Sequence, residues 1–135
     1  MNCVKCDQPS QLFWLKDEVW NQIREKKHGE ANGFILCFKC AEEILGRPLT
    51  LDDLALSHYL KTEHMPRDFL QECVRSTLHG AYQATRVPLP EGWETPHERP
   101  FTDAFEIGTK LGKQTPNAQK KLADLLHEYK KCFTC

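Results

Sequence analysis

The chain has 135 residues, 40% hydrophobic and 27% charged, with 18 Lys and Arg against 19 Asp and Glu and a formal net charge of −1. That length builds one domain or a small module with a helical extension, and no run of about 18 apolar residues is present to span a membrane. The charge balance also argues against a dedicated nucleic-acid binder, which carries a basic surplus to displace counterions from phosphates. Residues 1–60 hold seven basic and nine acidic side chains, and residues 61–135 hold eleven and ten. The N-terminal Met1-Asn2-Cys3-Val4-Lys5-Cys6 lacks the charged-then-apolar layout of a secretory signal, so a cytoplasmic protein is expected.

In chain order, Leu12-Phe13-Trp14-Leu15 is a short apolar run suited to a strand. Asp17 then precedes Glu18 to Lys27, in which Val19, Trp20 and Ile23 share a helical face, with acids early, bases late and His28-Gly29 as the stop. Asn32-Gly33 signals a turn, and Phe34-Ile35-Leu36 a second strand running into Cys37. Ala41-Glu42-Glu43-Ile44-Leu45 continues from Cys40 as a helix, closed by Gly46 with Pro48 beyond. In Thr50-Leu51-Asp52-Asp53 a hydroxyl is followed three residues later by an acid, which predicts a further helix starting at Leu51.

A longer helix is predicted from about Pro66 to Thr85, with Phe69, Leu70, Cys73, Val74, Leu78, Ala81 and Tyr82 as its apolar stripe. Residues 86–100 contain Pro88, Pro90, Pro96, Pro100 and Gly92 and read as a loop or extended linker. Phe101, Phe105, Ile107 and Leu111 are interrupted by Gly108 and Gly112, which leaves residues 101–114 ambiguous. Thr115-Pro116 has the form of an N-cap followed by proline at the first helical position, opening a last helix with Leu122, Leu125, Leu126 and Tyr129 on its buried face.

Six of the seven cysteines fall in CxxC pairs: Cys3/Cys6, Cys37/Cys40 and Cys132/Cys135. Paired CxxC in a chain without a signal peptide points to metal binding and away from a secreted disulfide scaffold. Cys3, Cys6, Cys37 and Cys40 form a complete tetrahedral thiolate set for one structural Zn2+. A loop-borne pair, intervening strands and a second pair in the first turn of a helix is the order of a treble-clef zinc finger. The helix N-terminus would favour the negative thiolates of Cys37 and Cys40.

The segments Leu15-Lys16-Asp17-Glu18-Val19-Trp20 and Gly33-Phe34-Ile35-Leu36-Cys37-Phe38-Lys39-Cys40-Ala41-Glu42-Glu43-Ile44-Leu45-Gly46-Arg47-Pro48-Leu49-Thr50 carry a resemblance. Over about residues 1–55 the chain resembles small bacterial and bacteriophage treble-clef proteins that share the C-x-x-C, D-E-x-W and C-x-x-C-x-x-x-x-L-G-R-x-L pattern. Those proteins are mostly uncharacterised, so the resemblance implies a bacterial or phage origin and carries almost no known activity.

Many treble clefs with two CxxC pairs are HNH endonucleases, which also need a catalytic histidine, commonly in an Asp/Glu-His-x-x-Pro stretch between the pairs, and Asn or His ligands for a magnesium-type ion. Between Cys6 and Cys37 the only histidine is His28, followed by Gly29-Glu30 without a nearby proline. After Cys40 the helix reads Ala41-Glu42-Glu43 where that pattern places His or Asn. The catalytic set is missing, so no catalytic residue is assigned.

Other candidates each carry two readings. Cys132 and Cys135, with His127, could ligate a second zinc ion completed by His97 or by another subunit; alternatively they are a pair of flexible thiols or a disulfide. Trp93 in its proline-rich loop is either an exposed anchor for a partner or a side chain folded back on the helices. Lys120, Lys121, Lys130 and Lys131 are either a solvated helix face or the best available phosphate contacts. Histidines 58, 64 and 79 read as surface residues, and Cys73 as a small core residue.

The expected fold is therefore mostly α with a small β-hairpin. Residues 1–55 form a treble-clef zinc module, and residues 56–135 a helical extension with a proline-rich loop at 86–100. The expected function is that of a non-catalytic zinc protein, phage-type, that binds and modulates a host or partner protein in the bacterial cytoplasm. DNA binding through the finger and the C-terminal lysines is the alternative, and HNH-type nuclease activity the second alternative.

Overall fold

The computed structural model describes residues 3, 5–8, 15–26, 36–56, 67–93 and 102–134, with residues 67 and 132–134 described by their backbone only. Five α-helices lie within the described residues: α1 (Asp17–Lys26), α2 (Phe38–Leu45), α3 (Arg67–Thr85), α4 (Thr102–Gln114) and α5 (Ala118–Thr134). A single 3-10 turn, Leu51–Asp53, follows α2.

Helix α1 has Asp17 and Glu18 in its first turn and Arg24 and Lys26 in its last, complementing the helix dipole. It buries Val19 and Ile23, four positions apart. Lys26 Nζ donates to the Leu45 carbonyl oxygen at 2.8 Å, which ties the end of α1 to the last turn of α2. Helix α2 starts at its N-cap Cys37 and stops at Gly46, whose φ of 76° and N–H bond to the Glu42 carbonyl close the last turn.

The helix expected from Leu51 is one turn only. Its start has the anticipated capping geometry, with the Thr50 N–H donating to Asp53 Oδ2 at 2.8 Å. Its end is set by a distant strand-like pairing, because Leu54 forms an antiparallel bridge with Leu15. The Lys16 N–H then takes the Asp53 carbonyl at 2.8 Å, which would have been a helical acceptor. This bridge is the only β pairing among the described residues, and a β-hairpin is not seen there. Of the hairpin's expected strands, Leu36 is irregular and residues 12–14 and 34–35 lie outside the described residues.

The ambiguous stretch is helix α4, and its glycines explain themselves in packing. Gly80 on α3 faces the Phe105 backbone, while Gly108 and Gly112 on α4 face the backbones of Thr77 and Ala81. With no Cβ at these crossings the two helices meet backbone to backbone, and α3–α4 is the most extensive helix contact. Helix α3 is consequently buried all round at residues 76–82, including His79, which is fully buried with its ring tilted 40° to that of Phe105 at 5.7 Å. The surface position expected for His79 is corrected by this burial.

Thr115 is not an N-cap. Its hydroxyl donates to the Leu111 carbonyl at 2.7 Å, still within the last turn of α4, and accepts the Leu51 N–H at 2.6 Å. Helix α5 begins at Ala118, after Asn117 at a φ of 56°. Leu122 and Leu125 of α5 join Leu15, Ile23, Leu49, Leu51, Leu54, Leu70, Leu78 and Leu111 in one hydrophobic cluster, to which residues of 1–55 and of 56–135 both contribute. No helix among the described residues is long and apolar enough to cross a membrane.

Candidate metal centre

The two cysteine pairs arrive from different local structures. Cys3 and Cys6 sit on a tight turn in which the Asp7 N–H reaches the Cys3 carbonyl at 2.9 Å and the Cys3 N–H the Gln8 carbonyl at 2.9 Å. Asp7 takes a φ of 59° to turn the chain away. Cys37 is the N-cap of α2 with extended backbone, and Cys40 lies in the first helical turn. Backbone amides point at the sulfurs: the Lys5 N–H lies 3.4 Å from Cys3 Sγ and the Cys40 N–H 3.5 Å from Cys37 Sγ.

All four sulfurs lie within 4.8 Å of one another. Cys6 Sγ and Cys37 Sγ are 3.7 Å apart. A tetrahedron with metal–sulfur bonds of about 2.3 Å has edges of about 3.8 Å, so the arrangement fits one ion at its centre. No other group of three or more His, Cys, Asp or Glu side chains suited to a metal occurs among the described residues.

Ionising all four thiols together would require a compensating cation. Burial opposes ionisation of Cys3, but amides of Cys37, Cys6 and Lys5 outweigh it and bring that thiol down to about 6. Burial pushes the Cys37 and Cys40 thiols up, and hydrogen bonds from the other cysteines push Cys40 further. Four thiolates at these distances cannot all ionise unless a central positive charge compensates them. The four cysteines can therefore hold a metal ion.

Two ion pairs brace the site, and neither was apparent in the sequence. Lys5 Nζ meets Glu43 Oε2 at 3.0 Å, clamping the first cysteine turn onto α2. Glu42 accepts the Leu49 N–H at 2.7 Å through Oε2 and pairs with Lys110 of α4 through Oε1. A carboxylate in the first turn after CxxC is a faint sequence signal, and its partner on α4 lies far along the chain.

The remaining candidates are dispersed. His127 is exposed on α5, while His97, Cys135 and the side chain of Cys132 lie outside the described residues, as do histidines 28, 58 and 64. Trp93 is half-buried, edge-on to Tyr82 at 6.1 Å and to Tyr129 at 5.7 Å, with the Arg75 guanidinium 6.0 Å from its ring. Of the four lysines on α5, Lys121 pairs with Asp52 at 2.7 Å, and Lys120, Lys130 and Lys131 are exposed. Lys120 lines an open groove of about 450 Å³ with Thr85, Asn117, Ala118 and Gln119. Cys73 is buried on α3, where burial raises its thiol to about 12.

No protein-family model, curated protein or solved structure matches the chain.

Proposed function

We propose that the chain is a non-catalytic zinc protein that binds and modulates another protein. The observation that carries the zinc part of this reading is the closed set of four cysteine sulfurs. Zinc is the ion such an all-thiolate tetrahedron suits best, and a four-protein-ligand site leaves no open position for substrate or activated water. Zn2+ thus acts here as a fold-forming cross-link between the first turn and α2.

Against the nuclease reading, the described positions just after Cys40, where that pattern places His or Asn, make other contacts. Ala41 is buried, Glu42 holds the Leu49 amide and Lys110, and Glu43 holds Lys5. Arg47, Lys5, Lys110 and Lys121 each pair with a carboxylate of this chain, which lowers their value as a phosphate-binding patch. A protein partner is accordingly favoured, with Trp93 and the α5 lysines 120, 121, 130 and 131 as its proposed contacts. The resemblance of residues 1–55 to phage and bacterial proteins makes a host enzyme or a defence protein the natural target.

Elemental analysis of the purified chain should return one equivalent of zinc, and a Cys37→Ser variant should lose it. Affinity capture from bacterial lysate, with and without nuclease, should recover one stoichiometric protein in both arms, and the purified pair should bind in isothermal calorimetry. Recovery of nucleic acid, with protein lost after nuclease treatment, would replace this reading by DNA binding. Plasmid cleavage with added magnesium would replace it by a nuclease.

A further inference from the structure

The four cysteine residues differ sharply in their exposure to solvent. Cys3 and Cys40 are 1% and 4% exposed, Cys37 is half-buried, and Cys6 is exposed. The open edge of the tetrahedron is therefore Cys6–Cys37, whose sulfurs already lie 3.7 Å apart. This edge also joins the two halves of the site, since Cys6 belongs to the N-terminal turn and Cys37 caps α2.

We propose that Cys6 is the site at which peroxides modify the metal centre, with Cys37 as the resolving thiol and zinc release as the output. The inference rests on the zinc reading above. In the first step the Cys6 thiolate attacks a peroxide oxygen. An S–O bond forms, the O–O bond breaks and hydroxide leaves, so that Cys6 becomes a sulfenic acid. The Cys37 thiolate then attacks the Cys6 sulfur; the S–S bond forms, the S–O bond breaks and a second hydroxide leaves. The sulfur pair supplies the two electrons that reduce the peroxide, and solvent protons convert the two hydroxides to water. Cys3 and Cys40 remain reduced, but two ligands do not hold the ion, and it departs.

All four thiolates bind the same ion and share its charge, and access then separates Cys6, the exposed residue, from the buried Cys3 and Cys40. Cys3 and Cys40 are members of the hydrophobic cluster that also holds Leu36, Ala41 and Leu45, whereas Cys37 only packs against it. Cys73, buried on α3, is outside the reaction.

The test uses the full chain with its zinc content measured beforehand. Hydrogen peroxide is added, zinc release is followed with a chromogenic chelator, and disulfides are mapped by mass spectrometry at successive times. The expected result is a Cys6–Cys37 disulfide as the first cross-link within the centre, formed in step with zinc release and reversed by thiol reductant plus zinc. In parallel, a brief pulse of N-ethylmaleimide on the zinc-loaded chain should label Cys6 at least about tenfold faster than Cys3 or Cys40, as exposure requires. A first disulfide within Cys3/Cys6 or within Cys37/Cys40, or equal labelling of the four, would overturn the proposal while leaving the zinc reading intact. Absence of zinc at the outset would overturn the zinc reading itself.

Discussion

Gly108 lies directly against the backbone of Thr77, with no room for a methyl group between its Cα and the Thr77 carbonyl. Gly112 repeats the contact one turn on, where a Cβ would come within 2.8 Å of the Ala81 carbonyl oxygen. The neighbour in each case is main chain, which cannot rotate aside as a side chain can. Gly46 makes the opposite demand, since it has open space around it but a φ of 76°.

Gly108→Ala should therefore separate α3 from α4 and destabilise the protein by about 3 kcal/mol, the upper part of the range for overpacking. Gly46→Ala should cost only about 1 kcal/mol, the penalty of a left-handed L-residue. Urea unfolding of both variants checks the order. A Gly108→Ala variant as stable as the parent would contradict the close crossing.

On the proposed zinc reading, removing the ion should cost far more than either substitution. Structural zinc sites contribute on the order of 10 kcal/mol of binding free energy, comparable to the whole stability of a domain, about 5–15 kcal/mol. A strong chelator should abolish or greatly lower the thermal transition followed by circular dichroism, and added zinc should restore it. A Cys37→Ser variant should behave like the chelated protein.

Thr115 joins the 3-10 turn to α4 through one hydroxyl, taking the Leu51 N–H and giving its proton to the Leu111 carbonyl. Thr115→Val conserves the shape and leaves the Leu51 N–H buried without its acceptor, which should cost about 1–3 kcal/mol. Thr115→Ser keeps the hydroxyl and should retain most of that stability. Thermal denaturation of the two variants distinguishes loss of the bond from loss of the methyl group.

Asp53 links the 3-10 turn to the segment after α2. Burial resists its charge, but the Arg47 guanidinium at 2.9 and 3.0 Å and the Thr50 amide outweigh that and hold its carboxyl below the usual range. A carboxyl depressed by folding stabilises the native state above its unfolded pKa, about 3.9, and that contribution is lost as pH falls through the lower folded value. Asp53→Asn should thus be less stable than the parent at neutral pH. The gap should narrow as pH falls below about 4. A gap unchanged down to the parent's acid transition would mean that the charge of Asp53 contributes nothing.

Much of the helical framework was legible because its signals are local. The α1 charge order, the Gly46 stop of α2 and the apolar stripe of α3 all arise from residues within a turn or two of one another. Residues 101–114 were not legible, because Gly108 and Gly112 read as helix breakers until α3 is beside them. Thr115 misled for a related reason. Its hydroxyl suits an N-cap, but an acceptor on α4 and a donor at Leu51 compete for it and win. The length of the turn after Thr50 likewise depended on Leu15, a residue far back in the chain.

By itself the sequence determined which four cysteines could hold a metal ion, since CxxC spacing keeps two sulfurs close through a short stretch of backbone. It also determined where α1, α2 and α3 lie, through periodicity and end signals that act over three or four residues. Only the tertiary structure decided that the four sulfurs meet with one exposed edge, that Lys5–Glu43 and Glu42–Lys110 brace them, and that His79 and Trp93 lie against the helices. Burial, solvent access and a hydrogen bond's partner are properties of elements brought together from distant parts of the chain, and no local pattern encodes which surface will meet which.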